Sequence, residues 1–362
     1  MRKIYILLLI SFYSCSSGIA EAIEEVNDLI EKEKYQIASE RILKEMKKKR
    51  PGDRVLSDES VPRILRISAD SKKIVWTEKD IIFAWDRETD DIDETDMGHK
   101  PEIFSISENG KYAVLSFPLQ QNAGCMMRAL SLFDDSLDYE SGAHVSCNNT
   151  PAIANDGKVL YYMLDENLYQ EQTVLPRKPE KIMEKSHFSA PYSKLKNKMV
   201  LQAVNNELYL FFGIGGDYNL YQINPGKQES RKTLSNVAAP FFLVKDDTSG
   251  YVIHGTTNKL KLRLVQYATA EISSPVSIMK EAEYILPTKN KNEFISGNEE
   301  GVFIWKDGNN PQQCPVLYQK FWGIGDAILY ENEKGQLLQS NYEYTPEEWK
   351  LIGLLKQIRS KN

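Results

Sequence analysis

An all-β fold, a β-propeller of radially repeated four-stranded sheets behind a short helical segment, is predicted by three features of this 362-residue sequence. First, a proline opens a short extended segment, a polar turn follows and an apolar strand comes next. These openings fall at Pro62, Pro101, Pro151, Pro191, Pro240 and Pro287, spaced 39, 50, 40, 49 and 47 residues apart. Second, the turns of the clearest copies carry Asn109-Gly110 and Asp156-Gly157, pairs that tolerate the positive φ of a tight hairpin. A hairpin recurring every ~40–50 residues is the period of propeller blades. Third, 41% hydrophobic and 27% charged residues suit a folded body, and beyond the N-terminus no apolar run is long enough to span a bilayer repeatedly. Lys+Arg is 45 against Asp+Glu 51, a formal net charge of −6. With no basic excess to neutralise phosphates, nucleic acid is not expected as a partner.

The elements follow in order. Residues 1–14 read as a signal peptide: Arg2 and Lys3 form the charged start, and Ile4 to Tyr13 form the apolar stretch, too short to cross a membrane. Cleavage before Cys15 in Phe12-Tyr13-Ser14-Cys15 resembles a bacterial lipoprotein signal of the relaxed, spirochaete-like kind. That resemblance implies lipidation of Cys15 and a flexible tether over 15–20, starting at Ser16, Ser17 and Gly18. The alternative is simple secretion after Ala20. Loss of residues 1–14 removes two cationic side chains and takes the net charge from −6 to −8.

Residues 21–53 predict a helical segment. Ile23, Val26 and Ile30 form one helical stripe, and Tyr35, Ala38, Ile42 and Met46 form another, at spacings of three and four. Early glutamates and the late run Lys47 to Arg50 match the helix dipole, and Pro51-Gly52 ends the segment. Residues 29–51 resemble part of one tetratricopeptide repeat, a unit that cannot bury its own face.

Residues 54–357 predict the propeller, with 358–362 as a tail. Ser107-Glu108-Asn109-Gly110-Lys111 followed by an apolar strand is similar to the TolB-type and WD40-type repeat. Trp85-Asp86 stands where that family ends a third strand, and Gly98-His99 stands before the next blade. Three further strand candidates close the chain, Ala327–Tyr330, Gln336–Gln339 and Trp349–Gly353. They favour seven blades of about 42 residues over six. Arg54-Val55-Leu56 is expected to join the last blade as its outer strand and so remove an exposed edge.

The remaining cysteines are Cys125, Cys147 and Cys314. The midpoint of the first two falls in Asp134 to Asp138, the expected turn between their strands. Cys125 and Cys147 are therefore disulfide candidates, at an opposed Cβ spacing of ~4.5–5.5 Å against ~3.5–4.5 Å for a disulfide. Two unlinked buried thiols are the alternative. An exported protein permits the bond.

No catalytic constellation stands out. His99, His144, His187 and His254 fall in different blades, and none has the spacing of a zinc site. Phe212 to Asp217 is Gly-rich but leads into no helix, which suits a hairpin loop rather than a phosphate cradle. The acidic run Asp86 to Asp96 lacks the Gly and terminal Glu of a calcium loop and is expected as a solvated blade turn. Neither a metal nor a cofactor is expected.

The functional expectation is a non-catalytic binding or scaffold module on the bacterial envelope, lipid-anchored through Cys15, on the outer membrane, serving a protein or envelope partner. The alternative is a secreted propeller enzyme of the lyase, hydrolase or dehydrogenase kind, with its site in the central funnel.

Overall fold

In the computed structural model the described residues run from 19 to 46 and from 53 to 359, with breaks at 69–71, 120–123, 176–177, 190–196, 205–206, 215, 239–242, 247, 256–260, 270, 274–275, 278–283, 288–292, 299–300, 307–311, 315–319, 324–327, 333 and 341–345. The signal segment, Cys15, the basic run 47–50 and most of the turn after Pro191 lie outside them. Helices α1 (19–31) and α2 (Tyr35–Met46) open the chain, and β1 (Arg54–Ser57) follows. Two compact units are formed, residues 61–282 and a second made of 1–60 with 283–362.

The first unit holds five antiparallel blades. Blade one is β2 (Leu65–Ile67), β3 (Lys73–Glu78), β4 (Ile81–Asp86) and β5 (Asp91–Asp96). Blade two is β6 (Ile103–Ile106), β7 (Tyr112–Pro118), β8 (Cys125–Ser131) and β9 (Asp138–Val145). Blade three is β10 (Ala152–Ile153), β11 (Val159–Leu164), β12 (Asn167–Gln172) and β13 (Pro179–Met183). Blade four is β14 (Lys198–Val204), β15 (Glu207–Ile214), β16 (Asp217–Asn224) and β17 (Glu229–Val237), and blade five is β18 (Leu243–Asp246), β19 (Ser249–His254), β20 (Lys261–Gln266) and β21 (Val276–Ser277). These last two are joined by one pairing, Val237 with His254.

Successive side chains of a strand point to opposite faces, and in each second strand both faces are covered. On β7, Ala113, Leu115 and Phe117 pack toward Val75, Ile82 and Ala84 of blade one. Val114 packs the other way, toward Ile153, Leu160 and Tyr162 of blade three. On β15, Leu208, Leu210 and Phe212 face blade three, while Tyr209 and Phe211 face Val252 and Val265 of blade five. The cores therefore lie between blades, which is why these strands read as unbroken apolar runs.

The repeated turn is a second inter-blade device. Gly110 N donates to Ser107 O (3.0 Å) and Gly157 N donates to Ala154 O (3.0 Å). Only the glycines are left-handed, at φ 68° and 72°. The expected turn with two positive-φ residues is thus replaced by a longer one ending on a left-handed glycine. Asn109 Nδ2 then donates to Asn155 O (2.8 Å), and Asn155 Nδ2 donates to Glu108 Oε2 (3.0 Å), so neighbouring turns interlock. Inner strands are tied as well: Arg66 Nε donates to Phe104 O (2.9 Å), and Ser105 Oγ donates to Pro151 O (2.8 Å).

The second unit holds two more blades. One is β22 (Tyr284–Pro287), β23 (Glu293–Asn298), β24 (Gly301–Lys306) and β25 (Gln312–Cys314). The other is β26 (Lys320–Gly323), β27 (Ile328–Glu331) and β28 (Leu337–Ser340), completed by β1. Arg54 pairs with Gln339 and Val55 with Leu338, so the chain's first strand is the outer strand of its last blade. Tyr330 Oη reinforces this by donating to Asp53 Oδ2 (2.6 Å). The described strands therefore make seven four-stranded groups, the preferred blade number.

Three sequence expectations change. Trp349–Gly353 is not a strand but the middle of helix α3 (Pro346–Arg359). Its Leu351, Leu355 and Ile358 meet Val26, Ala38 and Ile42, giving the amphipathic helices the partner they lack alone. Pro287 ends an inner strand rather than opening one. The acidic run Asp86 to Asp96 is mostly strand β5, the exposed outer edge of blade one, where charge blocks pairing with another chain.

Candidate functional site

A cleft of about 780 Å³ is built from blades two, three and four. That volume falls in the range of small-ligand sites. Its walls are Pro118 and Leu119 at the end of β7, Gly124 before β8, the connection from β9 to β10, the β11–β12 turn and the start of β14. Pro118, Leu119, Val145, Leu164 and Met199 give it apolar surface, and His144, Asn148, Asp165 and Glu166 give it polar groups that are exposed to solvent.

Three local devices hold this rim. The first is the β11–β12 turn. Leu164 pairs with Asn167, leaving only Asp165 and Glu166 to reverse the chain. Both are left-handed, at φ 51° and 63°, as a two-residue hairpin requires. For a non-glycine residue that conformation costs ~1–2 kcal/mol. The second device is the connection to blade three. Asn149 N donates to Ser146 O (2.9 Å) in a tight bend. The buried Asn149 side chain accepts from Met199 N (3.3 Å). Thr150 N donates to Met199 O (2.8 Å) and Leu201 N to Thr150 O (2.9 Å).

The third device is a disulfide between Cys125 and Cys147, with Cα atoms 5.1 Å apart. The two cysteines are not opposed across the ladder. Cys125 pairs with Val145, because the register of β8 and β9 shifts between Met126 and Arg128. Cys147 lies just past the end of β9, and the bond fastens the start of β8 to the connection that lines the cleft. Gly124 permits this approach: a Cβ built there would stand 2.7 Å from Val145 O, at φ 103°.

The other sequence-predicted residues are not brought together. His99 is exposed in the bend before blade two, His187 lies in a 3₁₀ turn after blade three, and His254 ends β19. Burial, followed by Arg263 and Lys261, holds the His254 imidazole below its ordinary value. Among the described residues no group of three His, Cys, Asp or Glu side chains is arranged to hold a metal ion. Cys314 ends β25, and Cys15 lies outside the described residues.

Trp85 and Asp86 end the third strand of blade one. The Trp85 indole donates to Asp90 Oδ1 (3.0 Å), and Lys73 pairs with Asp86. Burial opposes ionisation of Asp86, but Lys73 and the backbone amides of Glu88 and Thr89 outweigh it and lower its pKa. This pair therefore stabilises a strand end. The Gly-rich stretch is a hairpin, with Ile214 paired to Asp217.

The sequence pointed to the Cys125–Cys147 pairing but did not mark His144, Asn148, Asp165 or Glu166 as parts of one site. The available signal was the charged pair Asp165-Glu166 directly after the apolar run Val159–Leu164. The two-residue link that forms there forces both residues into a strained, outward-facing turn.

No protein-family model matches the sequence, and no curated protein matches it. Solved structures share the fold. The chain is similar to the β-propeller domain of Cps50 (Swd1) from Myceliophteria thermophila, with a TM-score of 0.54 and 11% identity over 80% of this chain and 98% of that one. A chain of the mitotic checkpoint complex gives 0.51 and 11% over 82% and 96%. An oligogalacturonate lyase in complex with manganese gives 0.51 and 10% over 78% and 89%. These likenesses establish the architecture: the chain is an all-β protein with a β-propeller fold.

Proposed function

We propose that this chain is a lipid-anchored envelope protein whose propeller is a non-catalytic binding module for a protein or another envelope component. The observation that carries the binding role is the cleft. Its rim is fixed by a strained hairpin, the hydrogen-bonded connection at Asn149 and Thr150, and a disulfide, while its polar side chains are exposed. Recognition loops on a rigid frame are what a propeller offers a partner. One of the similar structures, a chain of the mitotic checkpoint complex, supports a protein partner in particular.

Anchoring rests on the lipoprotein-like residues Ser14-Cys15-Ser16-Ser17. The Cys125–Cys147 bond suits an oxidising compartment outside the cytosol. The outer membrane is the proposed site, with the propeller facing the periplasm or the surface. Palmitate labelling of cells carrying the chain, combined with protease shaving, tests it. Label lost in Cys15→Ala is expected; label that persists in that variant, or never appears, contradicts the anchor. For the binding role, mature protein lacking Cys15 is used as bait in envelope extracts. The result against it is recovery of nothing beyond a control bait with charge-reversed loops.

A second reading, a propeller enzyme with its site in the central funnel, is favoured by the likeness to the manganese-bound lyase. Incubation with oligogalacturonate and manganese separates the two readings. Appearance of unsaturated product supports the enzyme.

A further inference from the structure

Asp165 and Glu166 are the only Asp, Glu, Lys or Arg residues among the described residues that line the cleft. Neither carboxylate has an ion-pair or hydrogen-bonding partner among the described residues. The turn that carries them is short, paired on both sides at Leu164 and Asn167, and left-handed at both residues, so it points two adjacent carboxylates from a fixed place. The same cleft has apolar lining at Leu119, Leu164 and Met199. A site with an apolar wall and an anionic lip matches a side chain with an aliphatic stem and a cationic head. Carboxylates bind guanidinium by charge-assisted, directional hydrogen bonds.

We propose, resting on the binding-module reading above, that the cleft takes an arginine or lysine side chain presented by an extended segment of a partner protein. Complementarity of charge identifies the occupant. The lip carries the two carboxylates of Asp165 and Glu166. Nearby Asn148, exposed on the same rim, is free to hydrogen-bond the backbone of the incoming segment.

The test is fluorescence anisotropy with the full-length protein in detergent micelles and a labelled peptide, acetyl-Ala-Leu-Arg-Leu-Ala-amide. Its lysine and citrulline counterparts are measured in parallel, and citrulline keeps the shape of arginine without its charge. Saturable binding of the arginine or lysine peptide is expected, at least about tenfold tighter than the citrulline peptide. The double variant D165N/E166Q should weaken binding by a similar factor. Asparagine is tolerated in the left-handed region, so the turn survives, and an unchanged melting temperature verifies this. The chain is acidic overall, so a control variant, D91N/D93N/E94Q on the outer strand of blade one, should bind as the wild type does. No binding of either cationic peptide at millimolar concentration overturns the proposal. Equal binding by D165N/E166Q, or equal loss in the control variant, also overturns it. An envelope partner that is still captured equally well by D165N/E166Q would retain the binding module while removing this cleft from it.

Discussion

Gly110 and Gly157 are needed for two reasons at once. Both are left-handed, and both touch the preceding blade. A Cβ at Gly110 would lie 2.8 Å from Lys73 Cβ and 2.9 Å from Ser68 Cβ. A Cβ at Gly157 would lie 2.6 Å from the Tyr112 ring. Gly98 is left-handed too, at φ 68°, but nothing stands within 4 Å of its added Cβ. Urea unfolding of the three alanine variants should therefore separate the two effects. Gly98→Ala should cost about 1 kcal/mol for backbone strain alone, and Gly110→Ala and Gly157→Ala about 2–3 kcal/mol each. Equal losses at all three would mean that the blade contact contributes nothing. The sequence pattern at these positions was legible because Asn-Gly and Asp-Gly announce a reversal. It was silent on whether one residue or two would be left-handed, since that depends on how many residues the neighbouring blade leaves room for. At Asp165-Glu166 the reverse held: a true two-residue turn formed from residues that carry no glycine signal.

At the level of single elements, the disulfide and the Lys73–Asp86 pair make separate predictions. The bond joins positions 22 residues apart, and closing a loop of that size stabilises by roughly 3 kcal/mol. C125S/C147S should lose about that much in denaturant unfolding, and its melting temperature should no longer respond to reductant. Asp86 has a pKa depressed by Lys73 and backbone amides. Its contribution to stability is therefore present above the unfolded-state value of about 3.9 and is lost as pH falls through the lower folded value. In Asp86→Asn the stability curve should be lower near neutrality and flatter below about pH 4 than in the wild type. Parallel curves would exclude the pair as a source of acid sensitivity. Two elements were hard to read from sequence for opposite reasons. Strand β5, Asp-Ile-Asp-Glu-Thr-Asp, packs on one neighbour only and is exposed along most of its length, so it has no apolar face to show period two. The segment Trp349–Gly353 is a short apolar run that suits a strand or a helix equally. The deciding signs lay just upstream, with Pro346 as the first helical residue and Glu347 and Glu348 in the first turn.

Across the whole chain, the two termini meet in one unit through two kinds of contact. β1 completes the last blade, and α3 packs on the helical hairpin. The hairpin's dependence on a partner was legible from its stripes, but the identity of that partner, more than 300 residues away, was not. Truncation after residue 345 removes the 14 residues of α3. The loss of helical circular dichroism should exceed that of 14 residues, because α1 and α2 lose the surface that buries Val26, Ala38 and Ile42. A loss limited to α3 itself would show that the hairpin stands alone. The recurring openings disclosed the blades early, because each strand buried on two faces must be apolar throughout. The cleft was not disclosed, because its residues come from blades two, three and four and share no motif.

The claim on which the account turns is that this cleft is where the module meets its partner, and it can be measured in intact envelopes. A photo-crosslinking amino acid is placed at Asn148 on the rim and, as a control, at the exposed Lys181 on the outer strand of blade three. Illumination should join one discrete protein to the chain from position 148 and not from 181, and D165N/E166Q should abolish that adduct. Identical adducts from both positions, or none from 148, would contradict it.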